Sequence, residues 1–248
     1  MNVRVFPSGK ELAQAAADHA AEVIQTAIGE RGRAFVILAT GNSQLEFLSA
    51  LVKKPEVDWS KTVLFQLDEY IGLPPGHPAS FATYIRKNVL AHIRPEKAYL
   101  IEENDAKELS QLVSHQPIDI AFSGIGENGH LAFNDPPADF DTEEPYLVVQ
   151  LDKKCREQQV GEGWFPTFDD VPKEALSMSI RQILKSREIV CVVPDQRKAE
   201  AVRDCLGGPI TNMHPASILQ THGGVTFYLD KESSSLLLHT RQAGDQPH

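Results

Sequence analysis

Phe35-Val36-Ile37-Leu38-Ala39-Thr40-Gly41-Asn42-Ser43-Gln44 decides the fold. Four consecutive apolar residues fit a strand buried on both faces, the form strands take inside a parallel sheet. Small and hydroxyl residues then surround a glycine, and a helical pattern runs from about Gln44 to Val52. A strand turning through glycine into a helix leaves backbone N–H groups facing outward, where the helix dipole favours an anion. The loop carries neither the lysine of a P-loop nor the glycine triplet of a dinucleotide site. Taken alone, it reads either as a phosphate cradle formed by Gly41, Asn42 and Ser43 or as a glycine turn in which Ser43 caps the helix.

The same alternation extends in both directions. Residues 2–6 read as a first strand, and Ser8-Gly9-Lys10-Glu11 has the spacing of a capping box. Leu12, Ala16, Ala20, Val23, Ile24, Ala27 and Ile28 then mark one face of a helix ending near Gly29. Strands are expected at 62–67, 118–122 and 188–193, and helices at 81–93 and 196–205. Apolar strands separated by helices predict an α/β fold: an open, mostly parallel, doubly wound, Rossmann-like sheet. Residues 136–175 read as an irregular polar excursion, either a lid or a long connection. No repeat or linker divides the chain, so one domain over 1–248 is expected, with a frayed tail from Arg241.

Composition narrows the function. The 248 residues carry 24 Lys+Arg against 34 Asp+Glu, a net charge of −10, which argues against a sequence-independent nucleic-acid binder. No stretch approaches the roughly 20 apolar residues of a membrane helix, and the N-terminal residues lack a signal peptide's apolar region. Cys155, Cys191 and Cys205 have no metal-like spacing, which points to a reducing cytoplasm and to no metal centre.

Two further segments follow strands with unusual chemistry, and ligands of open α/β sheets bind outside the carboxyl ends of strands. In Leu67-Asp68-Glu69-Tyr70, adjacent carboxylates repel, and burial would raise one of them toward the range of a general base. In Ser123-Gly124-Ile125-Gly126-Glu127-Asn128-Gly129-His130-Leu131-Ala132-Phe133-Asn134-Asp135, glycines permit close approach beside a histidine. Asn128 and Asp135 are candidates for fixing its tautomer and orientation.

With these segments the chain resembles the glucosamine-6-phosphate deaminase family, whose wider group includes the 6-phosphogluconolactonases. The resemblance runs from about Val5 to Leu237. It is most specific in Leu67-Asp68-Glu69-Tyr70-Ile71-Gly72-Leu73 with His77-Pro78, and in the run from Gly124 to Pro136. The Tyr-x-Gly-Leu after the acidic pair favours the deaminases over the lactonases. The resemblance implies cofactor-free isomerisation and deamination of an amino-sugar phosphate. Asp68 would move a proton between C2 and C1, and His130 would open the ring, aided by Asp135 where the better-known pattern has Glu. Asn128 replaces an Asp of that pattern.

The resemblance also implies a phosphate held by Gly41, Asn42, Ser43 and Lys198, with Arg156 in the segment where the family carries a phosphate-binding Arg. The Ser/Arg/Lys cluster that forms an allosteric site in some members is absent from Ala138-Asp139-Phe140-Asp141-Thr142-Glu143. Glucosamine 6-phosphate is the expected substrate. Galactosamine 6-phosphate, a lactone substrate and a non-catalytic phosphosugar sensor are the alternatives, and assembly into a homo-oligomer is left open.

Overall fold

The computed structural model describes residues 1–103 and 105–237, so the tail over 241–248 lies outside the described residues. In chain order the elements are β1 (Asn2–Phe6), α1 (Gly9–Arg31), β2 (Ala34–Leu38), α2 (Leu45–Leu51), β3 (Thr62–Gln66), β4 (Asp68–Tyr70), α3 (Phe81–Ile85), β5 (Lys97–Tyr99) and α4 (Ala106–Ser114). There follow β6 (Ile120–Ser123), β7 (Tyr146–Gln150), α5 (Lys153–Gly161), β8 (Glu174–Met178), α6 (Ile180–Leu184), β9 (Glu188–Val193), α7 (Ala199–Val202) and β10 (Val225–Asp230).

Seven strands form a parallel sheet in the order β1-β10-β9-β6-β2-β3-β5. The expected α/β architecture is present: every residue of β2, β3, β6 and β10 is buried, as strands covered on both faces require. Helix α1 lies against β9, β10, β2 and α2, burying Leu12, Ala16, Ala20, Ile24 and Ala27. Ser8 caps it: its Oγ accepts from the Glu11 N–H and donates to the Glu11 carboxylate at 2.9 Å. Glu11 thus closes on the hydroxyl rather than on the Ser8 backbone. The helix passes through Gly29 and stops at Gly32, whose φ of 78° supplies the left-handed C-cap.

The strand order places the site. From β2 the chain steps outward to β3 and β5, then returns to lay β6 on the other side of β2 before building β9 and β10. The order reverses between β2 and β6, and at such a switch point two loops diverge and leave a crevice. β9, β6, β2 and β3 are consecutive in the sheet, and their carboxyl ends deliver the segments holding Lys198, His130, Gly41 and Asp68.

Two expectations require correction. Residues 136–175 are not irregular: they contain β7, α5 and the start of β8, and β4, β8 and β7 form a second, antiparallel sheet. A second core of Tyr70, Phe81, Phe133, Leu151, Cys155, Phe165 and Val171 lies beneath it. Asp68-Glu69-Tyr70, read from sequence only as a segment following a strand, is itself a strand. Three residues are too short for a periodic signal, and their partner Ala175-Leu176-Ser177 lies more than a hundred positions away. The helices expected at 81–93 and 196–205 form, but each passes into a π turn, at Arg86–Leu90 and Arg203–Gly207, and a 3₁₀ turn over Gln196–Lys198 precedes α7.

Candidate active site

A cleft enclosing about 550 Å³, its open mouth included, lies at the switch point; Asp68, His130, Gly41, Asn42, Ser43, Lys198 and Glu162 are among its walls.

Asp68 begins β4, directly after β3. Leu67 N–H donates to the Leu38 carbonyl, and its own carbonyl accepts from Met178, so Asp68 is fixed where the two sheets meet. It is buried, and its carboxylate receives no hydrogen bond from the described residues. Burial, and then the charge of Glu69, push it well above the ordinary carboxylate range. Glu69 has the opposite environment. Its carboxylate accepts from Ser80 Oγ at 2.8 Å and from the N–H groups of Ala82 at 2.7 Å, Tyr70 at 2.9 Å and Phe81 at 3.0 Å, with Gln66 Nε2 at 3.3 Å. Glu69, unsingled by sequence, therefore ties β4 to the start of α3 and holds negative charge beside Asp68. Its partners come from residues 66–82, and no short motif announces them.

His130 ends a turn in which Gly126 N–H donates to the His130 carbonyl at 3.0 Å and His130 N–H donates to Asn128 Oδ1 at 3.1 Å. A Cβ on Gly126 would stand 2.2 Å from the imidazole, so only glycine admits the ring. Nδ1 lies 3.2 Å from Asp135 Oδ1, within ion-pair reach but off the line of a well-formed hydrogen bond. The Asp at this position thus reaches the ring despite being one methylene shorter than Glu.

Asn128 does not touch the imidazole. Its Nδ2 donates to Asp135 Oδ1 at 2.8 Å and Asp152 Oδ2 at 3.0 Å, so it bridges two carboxylates and acts on the ring through Asp135. Asp152, the N-cap of α5, donates its N–H to Asp135 Oδ2 at 2.8 Å. Burial alone would raise Asp135, but its interaction with His130 and the donors Asn128 and Asp152 bring it below the ordinary value.

Cys155, absent from the sequence-based candidates, lies against the same carboxylate. Burial, Asp135 and Asp152 push its thiol well up, so it is a protonated donor. His130, Asp135 and Cys155 offer ligand atoms within 4.8 Å of one another, which makes them the cluster among the described residues able to take a cation.

At the other end, Gly41 adopts φ 93° and opens the 3₁₀ turn Asn42–Gln44. Ser43 lies inside that turn and does not cap the helix with its side chain. Gln44 anchors the loop, donating to Ser43 Oγ at 3.0 Å and to the carbonyls of Ser123 and Val192 at 3.3 Å each. Ser43 thus keeps its O–H for a ligand, and the buried Thr40 hydroxyl in the same wall has no partner among the described residues. Lys198 is buried on a turn entered through Asp195, whose left-handed φ of 87° is strained for a non-glycine residue. Burial lowers Lys198, and Glu162 opposes that effect.

Arg156 is not in the cleft. Its Nη2 donates to the carbonyls of Phe168 at 2.8 Å and Val171 at 3.0 Å, and its guanidinium stacks 3.9 Å over the Phe168 ring. Gln158 and Gln159 of α5 and Glu162 at its C-cap line the cleft instead. The segment expected to supply a second cation presents a carboxylate, Glu162, to the cleft.

Residues 7–228 match the family model of glucosamine-6-phosphate isomerases/6-phosphogluconolactonase. A glucosamine-6-phosphate deaminase of Exiguobacterium sibiricum is 38% identical over 208 residues, covering 81% of this chain and 80% of that protein. One from Lactobacillus delbrueckii subsp. bulgaricus is 32% identical over 96% of this chain and 100% of its own. A solved structure described as a monomeric glucosamine-6-phosphate deaminase superposes with a TM-score of 0.85 at 33% identity, covering 95% of this chain and 100% of that one. The 6-phosphogluconolactonase of Trypanosoma brucei, at 18% identity and a TM-score of 0.76, shares the fold.

Proposed function

The chain belongs to the glucosamine-6-phosphate isomerase/6-phosphogluconolactonase family, and we propose that it converts glucosamine 6-phosphate and water to fructose 6-phosphate and ammonia. One observation carries this reading: the buried carboxylate of Asp68, which receives no hydrogen bond from the described residues, lines the same cleft as His130, which is backed by Asp135. A proton-moving carboxylate and an imidazole around one sugar are what ring opening followed by enolisation needs.

His130 takes the proton of the anomeric hydroxyl and delivers it to the ring oxygen, giving the open aldehyde. The nearby negative charge of Asp135 favours the imidazolium that forms in between. Asp68 removes the C2 proton while the aldehyde oxygen takes up a proton, leaving an enolamine, and then returns the C2 proton to C1 as the amino nitrogen gives one up. The product is an imine at C2. Water adds there and ammonia leaves, so the atoms balance without a redox step. Lys198, Ser43 and the N–H groups of the Gly41 turn bind the phosphate away from the reacting carbons.

Lactone hydrolysis would use His130 and the phosphate end but has no proton for Asp68 to move between carbons. The test is ammonia release from glucosamine 6-phosphate by the purified protein, run beside galactosamine 6-phosphate and a 6-phosphogluconolactone. Ammonia from the first substrate is expected. Lactone hydrolysis without ammonia, or tight binding with no turnover, would replace this reading. Among the described residues no helix is long and apolar enough to cross a membrane, and the three cysteines are free and buried; we place the enzyme in the cytoplasm.

A further inference from the structure

Glu162 is the feature of the cleft that the proposed reaction leaves unused. Its side chain is 7% exposed, and it lines the cavity beside Lys198 and the Gly41–Ser43 turn. It is held in place: Oε1 accepts from Gln158 Nε2 at 2.7 Å, Oε2 accepts from Trp164 Nε1 at 3.1 Å, and its backbone carbonyl accepts from Asn42 Nδ2 at 3.2 Å. Lys198 Nζ lies 3.9 Å from Oε1, well beyond the roughly 2.7–2.9 Å of a charge-assisted hydrogen bond. The two groups face the same space rather than closing on each other.

The other charges around Glu162 do not alter the balance. Arg197, next to Lys198, is engaged by Asp195 at 3.1 Å and Glu127 at 3.8 Å. Tyr70 on β4 is buried in the second core with its O–H given to Gln159 at 2.6 Å, and Asp68 and His130 line other parts of the cleft wall. One cation and one anion therefore meet any phosphate entering the cradle. A dianion would place two negative charges against a fixed carboxylate. A singly protonated phosphate carries an O–H able to donate to that carboxylate, and O–H···O⁻ bonds are among the strongest available.

Resting on the proposed function, we infer that Glu162 is a specificity determinant that selects the substrate's phosphate as its monoanion, accepting a hydrogen bond from the phosphate O–H while Lys198 and the Gly41–Ser43 turn hold its other oxygens.

The test measures Kd of the product, fructose 6-phosphate, by calorimetry from pH 5.5 to 8 for wild type and Glu162→Gln, with ammonia release followed on the same samples. The second phosphate pKa is about 6, so wild-type Kd should rise about tenfold per pH unit above that point. Glu162→Gln should flatten this rise and bind more tightly than wild type at pH 8. A wild-type Kd independent of pH overturns the inference even if Glu162→Gln does not fold. A rise that persists in Glu162→Gln overturns it too, and assigns the effect to Lys198 losing its proton. Ammonia release with a flat Kd leaves the proposed function standing without this refinement. The expected Kd profile without ammonia release supports the selection by Glu162 and removes the proposed reaction. No binding at any pH overturns both.

Discussion

The carboxylates of Asp68 and Glu69 are neighbours in sequence with opposite surroundings: Glu69 is enclosed by five donors, while Asp68 meets none among the described residues and faces the cleft. Successive side chains of a strand point to opposite faces, so a three-residue strand suffices to separate them. The satisfied carboxylate makes its neighbour a stronger base.

Asp68→Asn should reduce kcat by on the order of 10²-fold or more while Kd for fructose 6-phosphate changes little, because an amide cannot accept the C2 proton. Wild-type kcat at saturating substrate should rise with pH through the raised pKa of Asp68, since the base must be ionised. Steady-state rates across pH check both. Turnover within a few-fold of wild type would remove Asp68 from the mechanism.

Asp68→Asn should also stabilise the protein, and only above about pH 4. The unfolded Asp68 ionises near its ordinary value of about 3.9, whereas the folded one stays protonated to higher pH. Wild type therefore loses stability as pH rises from that value through the folded pKa, and the amide does not. Thermal melts should show equal Tm at pH 3.5 and a higher Tm for the variant at pH 7, by roughly 2–4 °C for each kcal/mol recovered. A lower Tm at pH 7 would contradict the burial argument.

Gly126→Ala should lower kcat about tenfold or more by displacing the His130 ring, since its Cβ would lie 2.2 Å from the imidazole. Fructose 6-phosphate binding at the Lys198 end should persist. Unchanged kcat would mean that the turn relaxes without moving the histidine.

Lys198→Ala should raise KM about 10- to 100-fold, with a smaller effect on kcat, if a charge-assisted phosphate contact of roughly 1.5–3 kcal/mol is lost equally in ground and transition states. Initial rates over a substrate range separate the two. An unchanged KM would take Lys198 out of the cradle.

Arg156→Ala should leave KM within about twofold and lower Tm, because it uncouples α5 from the Phe168 and Val171 carbonyls and abandons the stack on Phe168. The cost is about 2–4 kcal/mol for stranded buried acceptors and lost packing. A KM raised tenfold at constant Tm would restore the phosphate role that the resemblance implies.

What the sequence determined by itself is local. The apolar run at Phe35–Leu38, the glycine at 41, the acidic pair at 68–69 and the glycines before His130 each owe their character to a few adjacent residues, and so the parallel sheet and the main chemical groups were legible. Tertiary structure decided which groups meet. The strand of Asp68–Tyr70 exists only because Ala175–Ser177 pairs with it. Cys155 reaches Asp135 only because Asp152 and Asn128 draw the start of α5 onto the histidine loop. The same helix turns Arg156 toward Phe168 and Val171 and presents Glu162 to Lys198. Position along α5 fixes which way a side chain points only once the neighbours of the helix are in place, and Asn42 meets the Glu162 carbonyl across 120 positions of chain. Contacts at that separation are chosen by packing of the whole sheet and leave no mark on a short window of sequence.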